Sequence, residues 1–144
     1  MRVPNKRAKG KYDILKRFEA GIVLNGLEVK AVQRGRADLS RAFGKVVGGE
    51  LFLFNLGVQI PGTHGGVDSR RSRKLLVHRK EIETLVLALK SSRLTIVPLS
   101  LYNKGRLVKV ELGLARERRK YEKREALRRR DIDREVEREL KSYK

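Results

Sequence analysis

Two histidines, His64 and His78, are the side chains that ordinarily titrate near neutrality. Neither belongs to an H-x-x-x-H pair, and a chain without cysteine has no thiolate to complete a transition-metal site. Both are read as structural or superficial. Acid–base chemistry is no better supplied: Glu81 and Glu83, two apart in a helical pattern, point away from each other, and Asp38 with Ser40 offers no recognisable proton-transfer geometry. The glycines miss the G-x-x-x-x-G-K-[ST] spacing that cradles nucleotide phosphates. The pattern predicts no catalytic residue, no metal and no cofactor.

What the residues do supply is cationic and aromatic. The 144 residues hold 36 Lys plus Arg against 17 Asp plus Glu, a net charge of +19, which calls for a polyanionic partner. Arg70-Arg-Ser-Arg-Lys74 provides several donors for phosphate or base edges, although such a run is also what a solvated surface looks like. Tyr12, Phe18, Tyr102 and Tyr121 can stack on bases where exposed, with Phe18 at least as well suited to a core. No helix-turn-helix, zinc finger or leucine zipper is recognisable, which favours RNA over regulatory DNA. The most apolar stretch, Leu51 to Ile60, is broken by Asn55, Gly57 and Gln59 and is too short to span a bilayer. The basic N-terminus lacks the apolar run of a secretory signal, so a cytoplasmic protein with no membrane contact is expected.

The elements that must carry these groups fall into three parts. Net charges of +5, +9 and +5 mark a basic arm (1–11), a body (12–114) and a basic tail (115–144). In the body, Phe18 to Leu24 reads as a strand in which Gly21 permits a bulge or a close approach, and Leu27 to Arg34 as a short helix stopped by Gly35. Ala42 to Val47 and Leu51 to Ile60 read as a hairpin over Gly48-Gly49-Glu50, and Pro61 to Ser72 as a glycine-rich loop. Arg73 to Val77 returns to strand. His78 to Lys90 is a helix, because Ile82, Leu85, Val86 and Leu89 share one face. Leu94 to Tyr102 is a strand whose Pro98 marks an edge, a bulge or a bend. Leu107 to Leu112 alternates apolar with charged residues after a turn at Asn103 to Arg106. The pattern predicts a mostly β fold, a small, partly open barrel with flanking helices. In the tail, Leu127, Ile132, Val136 and Leu140 form a thin apolar line, which predicts a segment disordered when free and helical against an anionic surface.

Several ordered motifs make the sequence more specific. Asn5-Lys-Arg-Ala8, Tyr12, Phe18-Glu-Ala-Gly21, Glu28-Val-Lys30, Arg71-x-Arg-Lys-Leu-Leu76, Leu94-Thr-x-Val-Pro-Leu99, Leu101-Tyr102, Lys109-Val110, Leu114-Ala-Arg116 and Tyr121-Glu-Lys-Arg124 cover nearly the whole chain. In this order and spacing it resembles the SmpB family, the SsrA-binding proteins that accompany transfer-messenger RNA (tmRNA) in bacterial rescue of stalled ribosomes. The resemblance implies an antiparallel barrel like the oligonucleotide-binding (OB) fold. It implies a body that clasps the tRNA-like domain of tmRNA and a tail that enters the vacant mRNA channel of the small ribosomal subunit. It also implies a non-catalytic adaptor, monomeric when free, that places alanyl-tmRNA on the 70S ribosome together with EF-Tu and GTP.

Carried over by motif, the tmRNA-facing residues are Asn5, Lys6, Arg7, Tyr12, Glu19, Leu76 and Lys109, and the ribosome-facing tail residues are Arg118, Arg119, Lys120, Tyr121, Lys123 and Arg124. Lys109 suits phosphate, and Glu19 an exocyclic amine or 2′-hydroxyl, with a buried brace to an arginine as the alternative. Leu76 covers an unstacked base or packs in the barrel. The chain departs from the family pattern at Lys9-Gly-Lys11, at Ala31-Val-Gln33, at Ser69, and at Glu117, where the family commonly has glycine. A ribosomal or ribosome-assembly protein, and less readily a small nuclease, are the alternative readings.

Overall fold

The computed structural model describes residues 1–62, 65–91, 93–118, 128–136 and 138. In chain order the elements are β1 (Arg2–Pro4), α1 (Ala8–Lys11), β2 (Tyr12–Ile22), α2 (Gly26–Gln33), β3 (Ala37–Asp38), β4 (Phe43–Val47), β5 (Glu50–Phe54), β6 (Gly57–Ile60), β7 (Val67–Ser69), β8 (Arg73–Leu76), α3 (Arg79–Ser91), β9 (Leu94–Lys104) and β10 (Leu107–Glu117). Residues 128–136 are also helical. No helix among the described residues is long and apolar enough to cross a membrane.

All the pairings are antiparallel, and the main sheet runs β1-β9-β10-β2-β8-β5-β4, with a further pairing of β4 to β9 that closes it into a barrel. The closing contact is Gly44 against Ile96, and it requires glycine: a Cβ at Gly44 would stand 2.6 Å from Ile96 Cγ2. On its side away from β10, β9 meets β4 at Ile96 and β1 from Ser100 to Tyr102. Pro98, which has no N–H to donate, sits between the two, beside a register shift that leaves Leu99 unmatched. Of the three roles open to Pro98, the bulge is therefore the one observed. Alternation turns Leu51, Leu53, Leu75, Ile96, Leu101, Val110 and Leu112 inward, all at most 2% exposed, and each such leucine contributes about 1.5–3 kcal/mol. Ala31 and Val32 of α2 and Leu85 of α3 join the same core, the last as the face predicted for that helix.

The antiparallel barrel with flanking helices is as the sequence predicts, and four local readings are corrected. Leu51 to Ile60 is not one strand: Asn55 adopts a positive φ of 62°, which asparagine tolerates, and β6 leaves for a second sheet, β3-β6-β7. The loop from Pro61 to Ser72 contains β7, held by pairing to β6 that no local pattern signals. β2 and β10 extend well beyond the stretches read from Phe18 to Leu24 and from Leu107 to Leu112, pairing with each other as far as Tyr12 and Glu117. β1 and α1 carry no periodic signal and were not expected from the sequence. Their order comes from β9, which pairs with Arg2 to Pro4 and then accepts the Asn5 N–H at Leu99 O, 2.8 Å.

One buried ion pair ties these layers together. Asn25 caps α2 through a reciprocal box: its side chain accepts the Glu28 N–H at 2.9 Å, and Glu28 Oε1 accepts the Asn25 N–H at 3.0 Å. Glu28 is fully buried, and its other oxygen takes Arg73 Nε at 2.6 Å, while Arg71 reaches Oε1 from the surface. Arg73, itself fully buried, also donates to the carbonyls of Leu56 (2.7 Å), Arg71 (3.0 Å) and Ser69 (3.1 Å). The arginines of the basic run at 70–74 are thus not all solvated, and one of them anchors α2, β7 and β8 to one another.

Candidate nucleic-acid interface

One row of residues crosses five strands. Arg2 on β1 faces Tyr102 on β9, Tyr102 faces Lys109 on β10, Lys109 faces Gly21 on β2, and Gly21 faces Leu76 on β8. Opposed residues of neighbouring strands share a face, so positions far apart in sequence fall into line. Gly21 is the gap in that line. A Cβ there would lie 3.3 Å from Leu76 Cβ and 3.7 Å from Lys109 Nζ, and its absence leaves the floor of an open cleft of about 390 Å³. Glu19, Leu76 and Lys109 border the cleft together with His78 and Glu81. The close approach expected at Gly21 is thus made by two side chains rather than by another backbone. Leu76 is 54% exposed and stands outside the core, while Phe18 packs against the core.

Glu19 is positioned by β9. Its carboxylate accepts the Tyr102 hydroxyl on Oε2 and Lys104 Nζ on Oε1 at 3.2 Å, so its partners are a partly buried tyrosine and an exposed lysine rather than the buried arginine that the sequence left open. The Tyr102 hydrogen bond, with Lys104 and the more distant charge of Lys109, outweighs desolvation and holds the Glu19 carboxyl below the usual carboxylate range. Burial, followed by the Glu19 contact, pushes the Tyr102 hydroxyl up to about 12. Glu19 therefore stays an anion at neutral pH, and each oxygen keeps a second lone pair for an amine or hydroxyl donor. Arg2 lies over the Tyr102 ring at 5.5 Å, which completes the row as a positively charged, partly aromatic strip.

The other residues singled out in the sequence lie elsewhere. Arg7 and Tyr12 line a second cleft, of about 530 Å³, with Lys11, Arg41, Phe43 and Thr95, and Lys11 Nζ sits 5.4 Å from the centre of the Tyr12 ring. Lys6 is exposed. Asn5 is 9% exposed and acts as a clasp: Nδ2 donates to Pro98 O (2.7 Å) and to Leu39 O (3.3 Å), and Oδ1 is buried without a partner. Arg118 is tied to the body, its N–H to Lys11 O and its Nε to Asp13 Oδ1, both at 2.9 Å. Arg119, Lys120, Tyr121, Lys123 and Arg124 lie outside the described residues, as does His64. Among the described residues no group of three or more His, Asp or Glu could hold a metal.

Sequence reasoning missed the roles of Tyr102 as the partner of Glu19 and of Arg73 as a buried anchor. The Asn25-x-x-Glu28 spacing was a readable signal for the capping box. Nothing local links Tyr102 to Glu19, because their contact is created by strand register.

Comparison with known proteins bears on the family and the fold. The family model described as "SmpB protein" matches residues 2–142. The SsrA-binding protein of Mycolicibacterium vanbaalenii is 49% identical over 140 residues, 94% of this chain and 84% of that protein. That of Parafrankia sp. is 51% identical over 138 residues, 93% and 86% respectively, and that of Chloroflexus aggregans 44% identical over 140 residues, 95% and 89%. A solved chain from "tmRNA-SmpB: a journey to the center of the bacterial ribosome" superposes with a TM-score of 0.69 at 42% identity, covering 89% of this chain and 95% of that one.

Proposed function

The chain belongs to the SmpB family, and from that premise we propose that it binds the tRNA-like domain of tmRNA and brings alanyl-tmRNA to stalled ribosomes for trans-translation. It is an RNA-binding adaptor whose partners are tmRNA and the ribosome. The observation that carries the site assignment is the single cleft shared by Glu19, Leu76 and Lys109, which juxtaposes a fixed anion, an exposed apolar cover and a cation above a glycine floor. A folded RNA elbow offers the complementary set of groups: amines or 2′-hydroxyls, an unstacked base and a phosphate.

In this reading the body (12–114) holds tmRNA, assisted by Lys6, Arg7 and Tyr12 from the arm (1–11) and the start of β2. Asn5 contributes by holding that segment on β9. The tail, rooted on the body where Arg118 bonds Lys11 and Asp13, enters the mRNA channel of the small subunit towards the decoding centre through Arg119, Lys120, Tyr121, Lys123 and Arg124. The protein works in the cytoplasm, as a monomer when free, with EF-Tu and GTP in the delivery complex. It performs no covalent step, since peptidyl transfer belongs to ribosomal RNA and the adaptor contributes placement.

Sequencing the RNA that co-purifies with the native protein tests the reading directly: tmRNA should be enriched over ribosomal RNA, and enrichment of precursor ribosomal RNA instead would overturn it. Lys109→Ala should weaken tmRNA binding by about 1 kcal/mol and lower the salt slope by about one unit. Glu19→Ala should cost about 1–3 kcal/mol with little change in that slope. Unchanged affinity in both variants would remove the cleft from the assignment.

A further inference from the structure

Three phenylalanines stand outside the barrel core. Phe43 and Phe54 are register partners on β4 and β5, with rings stacked at 5.5 Å and 18° between planes, and Phe52 tilts against Phe54 at 6.4 Å. The period of two sends Gly44, Leu51, Leu53 and Leu75 inward and leaves Phe43, Phe52 and Phe54 on the outer face with Lys45, Lys74 and Leu76. Phe43 is 41% exposed, and the other two rings are partly exposed. Lys45 and Lys74 are the register partners of Phe52 on either side. Glu50 meets Lys74 at 3.2 Å, an ion pair about half exposed on both sides and weak enough for a phosphate to displace.

The ladder has a definite place on the molecule. Phe43 borders the cleft of Arg7 and Tyr12, and Leu76, on the same face as Lys74, borders the cleft of Glu19 and Lys109. The outer face of β4, β5 and β8 therefore runs from one cleft to the other, the rings at the first and Leu76 at the second. We propose that this outer face of β4, β5 and β8 is a stacking platform for an unpaired RNA segment, with bases against Phe43, Phe54 and Phe52 and phosphates against Lys45 and Lys74, joining the two clefts into one track. The proposal rests on the RNA-binding reading above and extends it to residues that reading does not use. Charge selects the occupant: a polyanionic strand complements a chain of net charge +19, whereas a second copy would bring the same charge against it. Aromatic faces accept any base, so the platform serves unpaired nucleotides with little sequence preference.

The full chain is tested with a short oligouridylate carrying one 2-aminopurine and with an abasic strand of equal phosphate count, while binding of the tRNA-like domain of tmRNA is followed in parallel. Wild type should prefer the strand with bases by about tenfold and quench the 2-aminopurine on binding. Phe52→Leu keeps an apolar side chain without a ring; it should reduce that preference by about threefold, the other two rings remaining, with the salt slope unchanged. Lys45→Ala should keep the preference and lower the slope by about one unit. Thermal melts and light scattering establish that each variant is folded and of unchanged size. Equal affinity of wild type for the two strands, or a preference that Phe52→Leu leaves undiminished, overturns the platform. So does concentration-dependent association of wild type that Phe52→Leu abolishes, since the face would then hold a second copy. If tmRNA binding and its loss in Lys109→Ala persist while the base preference is absent, only the platform falls. If wild type does not bind tmRNA, the functional reading falls as well.

Discussion

Arg73 illustrates how a single charge serves structure in a protein otherwise dominated by cations facing outward. All three of its guanidinium nitrogens are partnered, and Glu28, its counter-ion, is as deeply buried. Removing one member leaves the other charge desolvated, so Arg73→Met should lower stability by about 3–5 kcal/mol in urea unfolding. The pair also gives the fold a pH dependence of known sign. Burial would raise the Glu28 pKa, but the Asn25 N–H and the Arg71 and Arg73 guanidiniums together hold it below its ordinary 4.5. A depressed carboxyl stabilises the fold fully above its unfolded pKa, and that contribution is lost as pH falls from there through the native value. The stability gap between wild type and Arg73→Met should accordingly be widest near about pH 7 and narrow towards about pH 3. A gap that does not change with pH would mean that the pair is not an ion pair in the folded state.

Among the elements, β4 decides whether the sheet is open or closed. Its contact with β9 depends on one missing side chain, and Gly44→Ala would force a methyl to within 2.6 Å of Ile96 Cγ2 and 2.9 Å of Ile96 Cβ. Because Ile96 is fully buried and has nowhere to move, the change should cost about 1–3 kcal/mol, read as a lower urea midpoint. Gly26, the first residue of α2, has open space around it, and Gly26→Ala should be stabilising by about 0.4–1 kcal/mol in the same assay. A Gly44→Ala protein as stable as wild type would mean that the barrel is not closed at Gly44. Closure bears on the proposed platform because Phe43 and Lys45, the neighbours of Gly44, are carried on the outer face by the same strand.

At the scale of the whole molecule, β10 runs past Leu114 and carries the first residues of the tail within the sheet. Leu114 and Ala115 are buried in β10, Glu117 pairs with Tyr12, and Arg118 is bonded to Lys11 and Asp13. At the position where the family commonly has glycine, Glu117 therefore lies within a paired strand. A truncation meant to remove only the ribosome-facing tail must end after Arg118, since one after Leu114 would strip the end of β2 of its partner. The chain ending at Arg118 should keep its thermal stability and most of its affinity for isolated tmRNA, yet fail to support tagging on stalled ribosomes. Loss of both activities to the same extent would show that tail and body do not divide the work. Tagging at the wild-type rate would remove the tail from it.

Periodicity was enough to read the helix that buries Leu85, the alternation from Leu107 to Leu112, the hairpin over Gly48 and Gly49, and the basic, aromatic surface that calls for RNA. These are local properties: which face of an element is apolar follows from the spacing of side chains a few residues apart. Ordered motifs added the family and, with it, Glu19, Leu76 and Lys109 as a set. Only the tertiary structure decided that these three share one cleft, that Gly21 is its floor, that Tyr102 holds Glu19, and that Arg73 is a buried anchor rather than one more surface cation. Each of those facts depends on strand register or on contacts between residues far apart in the chain. Register is set by how the whole barrel closes, and no stretch of the sequence taken alone contains that information.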